Sequence, residues 1–207
     1  YEEALATPGV VGLVIGTRPD CMPDELLDYL TELNRRTFLL VEYGIESTYD
    51  RTLERINRGH TFEQTRQAVI RTAERGIMVG GHLILGLPGE SEEDILHEAD
   101  LLSALPLTTL KLHQLQLIRG TKMAHQYAEH PEWFHIYDVD EYIRLVVAFV
   151  GRLRRDIVLE RFVSQSPKSL LIAPDWGLKN HEFTQKVYKY MIESDTWQGK
   201  NAVNTNL

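Results

Sequence analysis

One cysteine in 207 residues is the scarcest feature of this chain. Cys21 has no partner for an internal disulfide, and alone it falls short of the three or four thiolates that an iron–sulfur cluster takes. Positive charge is short as well. Lys and Arg number 22 against 30 Asp and Glu, a formal net charge of −8, which excludes a surface built wholly for nucleic acid and leaves room only for a local basic cleft. No apolar run nears the roughly 20 residues of a membrane helix; LILGL at 83–87 is typical of the longest. Internal repeats and low-complexity blocks are missing too. What remains is the expectation of a soluble, cytoplasmic domain of ordinary size, with 43% hydrophobic residues for its core.

Strand and helix signals alternate along the chain. VVGLVIG (10–16) and FLLVEYG (38–44) are continuous apolar runs of the kind that a covered parallel strand shows. Between them Leu26, Leu27, Leu30 and Leu33 recur at helical spacing behind Pro23, Asp24 and Glu25. A short helix is expected over 49–56, and Thr61 with Gln64 spells a capping box for a longer one that ends at Gly76. A third strand (77–85), a helix opened by Ser91 (91–105), a fourth strand (110–118), a helix capped by Asp138 (138–156), a polar helix (181–194) and a fraying tail (196–207) complete the reading. The fold class is therefore α/β: a parallel β/α partial barrel of about four strands with surrounding helices over 1–156, and a C-terminal loop, helix and tail over 157–207 packed on it. Four strands are too few to close a (β/α)8 barrel, and 10–16 has no earlier partner, so its edge, rich in Val and Ile, is expected to pair with a second copy or to be covered by the N-terminal residues.

Chemistry is expected where apolar runs end in small and charged residues. Alternation places Glu42, Gly44 and Glu46 on one face of their strand, and buried carboxylates there require cations or a ligand's donors. For Glu42 an internal salt bridge is the simpler role; for Glu46 a ligand is. His82, Ile84 and Gly86 share a face of the third strand, just before the tight turn LPGE. The fourth strand carries Lys111, His113, Gln114 and Gln116, a load of hydrogen-bonding groups that implies a wet cavity. Arg18 and Arg58 sit near the expected rim, where a guanidinium beside an acid is a normal carboxylate clamp. A metal on Glu46, His82 and His113 matches no compact zinc spacing.

Taken in order, IGTRPDCMP (15–23), VEYGIES (41–47), INRGHTFEQ (56–64), HLILGLPGE (82–90) and KLHQLQLIRGT (111–121), followed by APDW (173–176) and WQGK (197–200), resemble the radical S-adenosylmethionine superfamily, specifically its YhcC-type branch within the Elp-three-like group. The resemblance implies a portion of a (β/α)6 barrel and an enzyme whose CxxxCxxC loop holds a 4Fe–4S cluster. One open iron of that cluster chelates S-adenosylmethionine before reductive cleavage to a 5′-deoxyadenosyl radical. This chain has no CxxxCxxC, and the first two strand–helix units of the family pattern are absent before Val10. The implied identity is thus the C-terminal part of an iron–sulfur oxidoreductase-like parent, inactive alone and binding neither cofactor tightly. By the resemblance, Glu46 receives the methionine amino group of S-adenosylmethionine and Arg58 its carboxylate. His82 stands where a related branch has an Asp for the ribose, Ile84 and Gly86 pack on adenine, and 113–116, including His113 and Gln116, edge the adenine or face the substrate. No catalytic residue, no metal ligand and no role for Arg18 follow, and Cys21 reads as a small semi-buried residue. The implied partners are an unknown small-molecule or macromolecular substrate and an electron donor, with no membrane. The rivals are a non-catalytic degenerate barrel that binds RNA or protein, using Arg18, Arg58, Lys111 and Arg119, and a metal-dependent lyase with zinc or magnesium on Glu46 and His82.

Overall fold

The structure is a computed structural model that describes residues 1–203. After a short helix α1 (Glu2–Leu5), strand β1 (Gly12–Thr17) and helix α2 (Asp24–Asn34) form the first unit. Strand β2 (Phe38–Glu46) is followed by α3 (Asp50–Arg55) and α4 (Phe62–Glu74), and β3 (Met78–Leu85) by α5 (Glu92–Ser103). Strand β4 (Thr109–Gln114), strand β5 (Leu117–Ile118), α6 (Lys122–Glu129) and α7 (Val139–Arg152) come next. Strands β6 (Val158–Arg161) and β7 (Leu171–Ala173) and helix α8 (Asn180–Glu193) end the regular structure.

Five strands form one parallel sheet in the order β1-β2-β3-β4-β6, with β1 at one edge. Period-two alternation divides its faces. Leu39, Val41, Tyr43 and Ile45 of β2, with Val79, Leu83 and Leu85 of β3 and Leu110 and Leu112 of β4, are fully buried in the main core, which helices α2, α4, α5 and α7 complete. Glu42, His82 and Lys111 point to the opposite face and bond to one another there. The helices thus cover one side of the sheet, and the other carries the polar groups.

Local signals explain the boundaries. Capping boxes open α4 (Thr61 with Gln64), α5 (Ser91 with Asp94) and α7 (Asp138 with Glu141), each satisfying amide donors that a helix start leaves bare. Gly76 takes a φ of +72° in the turn between α4 and β3, a value that costs glycine nothing.

Four expectations are corrected. The sheet has five strands, because Val158–Arg161 pairs with β4; the boundary expected after 156 therefore cuts through one sheet. The apolar stretch 110–118 does not run as one strand: it breaks after Gln114, and β5 pairs antiparallel with β7 in a separate two-stranded sheet. Cys21 is exposed, in a 3-10 turn after β1. The tail is tied down through 202, since Gln198 donates to the carbonyls of Arg154 (2.8 Å) and Ile157 (2.7 Å), and the amides of Gly199 and Asn201 reach Val150 and Gly151. The rest of the expected fraying, at 204–207, lies outside the described residues. Among those described, no helix is long and apolar enough to cross a membrane.

Candidate functional site

At the carboxyl ends of β2, β3 and β4 the polar face opens into a hollow of about 310 Å³ lined in part by Glu46, Ile56, His82, Ile84, Leu87, His113, Gln116 and Met123. A parallel sheet puts its ligands at this end. Glu46 is the last residue of β2, at an irregularity in the β2–β3 register, with a φ of +66° that is uncommon for a residue with a side chain. Its carboxylate meets Arg58 at 3.2 Å, and the same guanidinium donates to the Gly44 carbonyl at 3.1 Å. Gly44 makes this approach possible: a Cβ there would overlap the Arg58 guanidinium and come within 2.6 Å of Glu46 Oε1. Burial raises the Glu46 carboxyl above its ordinary range, against the pull of Arg58 and His82.

Behind the hollow a polar chain crosses four strands. His82 Nε2 contacts Glu42 Oε2 at 3.1 Å, Lys111 Nζ donates to Glu42 Oε1, and Lys111 also lies 3.4 Å from Glu160 on β6. Burial pushes the Glu42 carboxyl upward, but the bonds from Lys111 and His82 outweigh it and hold the carboxyl below its ordinary value. Gly80, which pairs with Glu42 in register, leaves room for that side chain, whose Cγ would lie 3.0 Å from a Cβ there. His113 stacks on His82 with ring centroids 5.3 Å apart. Burial, with the nearby His82, Arg161 and Lys111, lowers its pKa to about 4, so the ring is neutral near pH 7.

The structure brings Glu46, His82, Ile84, His113 and Gln116 to one hollow, with Arg58 at its rim through Glu46. Gly86 does not join them. It lines a neighbouring hollow with Glu90 and Tyr137, and a Cβ on it would face the Tyr137 ring at 3.1 Å. Gln116 is occupied by the loop after β6, donating to the Ser164 carbonyl (3.3 Å) and accepting from Ser166 (2.8 Å). Three of the four cations offered for a basic cleft are paired with acids: Arg18 with Asp20, Arg58 with Glu46 and Lys111 with Glu42. Among the described residues no three His, Cys, Asp or Glu side chains are grouped to hold a metal ion.

Two features were hidden in the sequence. Glu160 sits in a strand of four residues that the pattern did not reveal, although IVLE after Asp156 carries a faint apolar signal. Gln114 lines the hollow as expected, and it also pairs through both ends of its amide with the Ser164 backbone at 2.9 Å, prolonging the β4–β6 contact with a side chain.

Comparison with known proteins fits this geometry. The Radical SAM superfamily model matches residues 3–102, and the Radical_SAM C-terminal domain model matches residues 107–193. The chain belongs to the radical SAM superfamily. Relatives of this radical SAM chain include the uncharacterized protein YtqA of Bacillus subtilis, 35% identical over 97% of this chain and 62% of that protein. Another is protein YhcC of Escherichia coli, 30% identical over 98% of this chain and 63% of that one. The chain thus spans less than two thirds of these relatives' length. The archaeal Elp3 of Methanocaldococcus infernus, solved with an N-terminal deletion, superposes with a TM-score of 0.79 at 23% identity over 91% of this chain and 43% of that one, a likeness of fold.

The superfamily implies S-adenosylmethionine and a 4Fe–4S cluster, and the residues present meet the two differently. They fit the methionine end of the nucleotide: Arg58 Nε and His113 Nε2 are buried atoms with no hydrogen-bond partner, and the glycine at 44 keeps the acid–guanidinium pair open. They do not fit the cluster, since Cys21 is the sole thiol and is exposed.

Proposed function

We propose that this chain forms the S-adenosylmethionine-facing half of a radical SAM enzyme, and that the thiolates for the cluster come from the part of the whole protein that this chain does not span. The supporting observation is the pairing of Glu46 with Arg58 at the mouth of the hollow, 3.2 Å apart and three-quarters or more shielded from water. A zwitterionic amino acid presents an ammonium and a carboxylate side by side, and this pair offers the complement to both. Glu46 receives the ammonium, whose charge reverses the upward push of burial on its own carboxyl. Arg58 turns its unpartnered Nε toward the carboxylate, and Ile84 and His113 flank the remainder of the ligand. When bound, S-adenosylmethionine would supply a 5′-deoxyadenosyl radical there, with one electron from a donor and methionine as the leaving group. This chain's share is to bind, to orient and to keep water from the reacting end.

The substrate class is not specified by these residues. Neutralised cations at the rim favour the enzyme reading over an RNA-binding barrel. The test is S-adenosylmethionine binding by the whole protein after anaerobic reconstitution. Wild type binds, and Glu46→Gln and Arg58→Ala each weaken binding about tenfold or more, the worth of one charge-assisted contact. Equal affinity in all three would refute the assignment.

A further inference from the structure

Directly after Glu46 the chain passes over a second pair of acids. Glu98 of α5 has no exposed surface, and Glu90 ends the LPGE turn that precedes α5. A single hydroxyl bridges them: Ser47 Oγ lies 2.5 Å from Glu90 Oε1 and 3.2 Å from Glu98 Oε1. Glu98 Oε1 also accepts from the Thr48 amide at 2.7 Å and from the Thr48 hydroxyl at 3.2 Å. The other oxygen of each carboxyl, Oε2, is buried and has no partner.

Hydrogen counting makes this arrangement untenable for two carboxylates. Ser47 has one proton and sits between two acceptors, its oxygen also accepts from the Tyr49 amide at 3.1 Å, and the further hydroxyl of Thr52 acts on Glu90 and not on Glu98. The charged groups around the pair offer little compensation. From α3, Arg51 is committed to Asp94 at 2.8 Å; from α5, Asp94 adds a further negative charge; Tyr49 of the intervening turn is neutral and bonds to His97 and the Asp94 carbonyl. Two buried negative charges with no cation between them are far costlier than one shared proton.

We propose that Glu90 and Glu98 hold one proton between them at neutral pH, and that this acid pair positions the turn Ser47–Thr48 and therefore Glu46. The consequence for Glu46 rests on the function proposed above; the proton itself does not. Burial pushes both carboxyls upward, and the negative charge of Glu90 pushes Glu98 further, while the hydroxyls of Ser47 and Thr52 oppose the rise at Glu90. The folded state then keeps a proton that the unfolded chain releases above the ordinary carboxylate value of 4.5, so stability falls as pH rises from there through the alkaline side of neutrality.

The experiment is thermal unfolding of this chain between pH 5 and 9, for wild type, Glu98→Gln, Glu90→Gln and Glu98→Ala, with side-chain carboxyl NMR of wild type. The expected result is a carboxyl that still titrates above pH 6 and a midpoint temperature that falls with pH in wild type but much less in Glu98→Gln, whose amide imitates the protonated acid. The Thr48 amide should exchange with solvent at least tenfold faster in Glu98→Ala and be restored in Glu98→Gln. Should Glu98→Gln not fold, Glu90→Gln carries the same flattening of the pH profile. Ordinary titration of both carboxyls near pH 4.5, or parallel pH profiles in wild type and the Gln variants, would overturn the proposal. So would a rise in the wild-type midpoint at pH 8.5 on adding millimolar magnesium or calcium that Glu98→Gln lacks, because a cation rather than a proton would then hold the pair. Unchanged S-adenosylmethionine binding in Glu46→Gln would leave all of these readouts standing, so the two proposals fail separately.

Discussion

Replacing Gly44 by Ala attacks the acid–guanidinium pair without touching either member. Gly44 has no positive φ, so alanine is acceptable to the backbone; the obstacle is its methyl group, which would occupy the position of the Arg58 guanidinium and sit 2.6 Å from Glu46 Oε1. Arg58 must swing away, giving up its 3.1 Å bond to the Gly44 carbonyl and its 3.2 Å contact with Glu46. A hydrogen bond to a charged group is worth about 1.5–3 kcal/mol. The side chains keep 25% and 18% of their exposure, so solvent screening favours the lower figure, about 1.5 kcal/mol. For a chain of this size that is a fall of roughly 3–6 °C in unfolding temperature, and the same amount in binding is about a tenfold loss of affinity. Differential scanning calorimetry of the chain and S-adenosylmethionine titration of the whole protein read the two numbers. Gly16→Ala is the control, because a Cβ there meets nothing within 4 Å. If Gly44→Ala behaves like Gly16→Ala in both assays, the pair is not the constrained device described above.

Lys111→Met should destabilise by about 3 kcal/mol, because it leaves Glu42, 6% exposed, without its ammonium partner; urea denaturation measures this, and a neutral outcome would mean that water reaches Glu42. His113 should stay neutral down to about pH 4. Its folded pKa lies below the unfolded one, so its contribution is present above pH 6.5 and lost as pH falls from 6.5 to about 4; ring-proton NMR reads the midpoint, and a value near 6.5 would contradict its burial. Strand β1 exposes Val14 at the sheet edge, 56% accessible, so sedimentation of the chain should show concentration-dependent association, and a strict monomer up to high concentration would count against an adhesive edge.

The alternating pattern revealed the frame because long parallel strands and capped helices carry their own local signals. Thr61, Ser91 and Asp138 each spelled a cap that the structure forms, and the alternation of β2 placed Glu42, Gly44 and Glu46 on the polar face. Short elements were illegible for the converse reason. Strand β6 has four residues, too few for a period, and its pairing with β4 depends on a partner about fifty residues away. The stretch 110–118 was apolar enough to pass for one strand, yet its break after Gln114 is set by tertiary pairing of Leu117–Ile118 with Leu171–Ala173. Within the site, Glu46, Arg58, His82 and His113 were singled out by type and do lie together, whereas the gathering of Glu90 and Glu98 around Ser47 joins residues up to 51 positions apart and has no local signature.

Release of 5′-deoxyadenosine by the whole protein, reconstituted and reduced without oxygen, probes the central assignment most directly. Wild type should release it, and the double variant Glu46→Ala, Arg58→Ala should lose about a hundredfold or more, the combined worth of two charge-assisted contacts. Undiminished release from a double variant whose cluster absorbance and unfolding temperature match wild type would contradict the assignment of these two residues to the nucleotide.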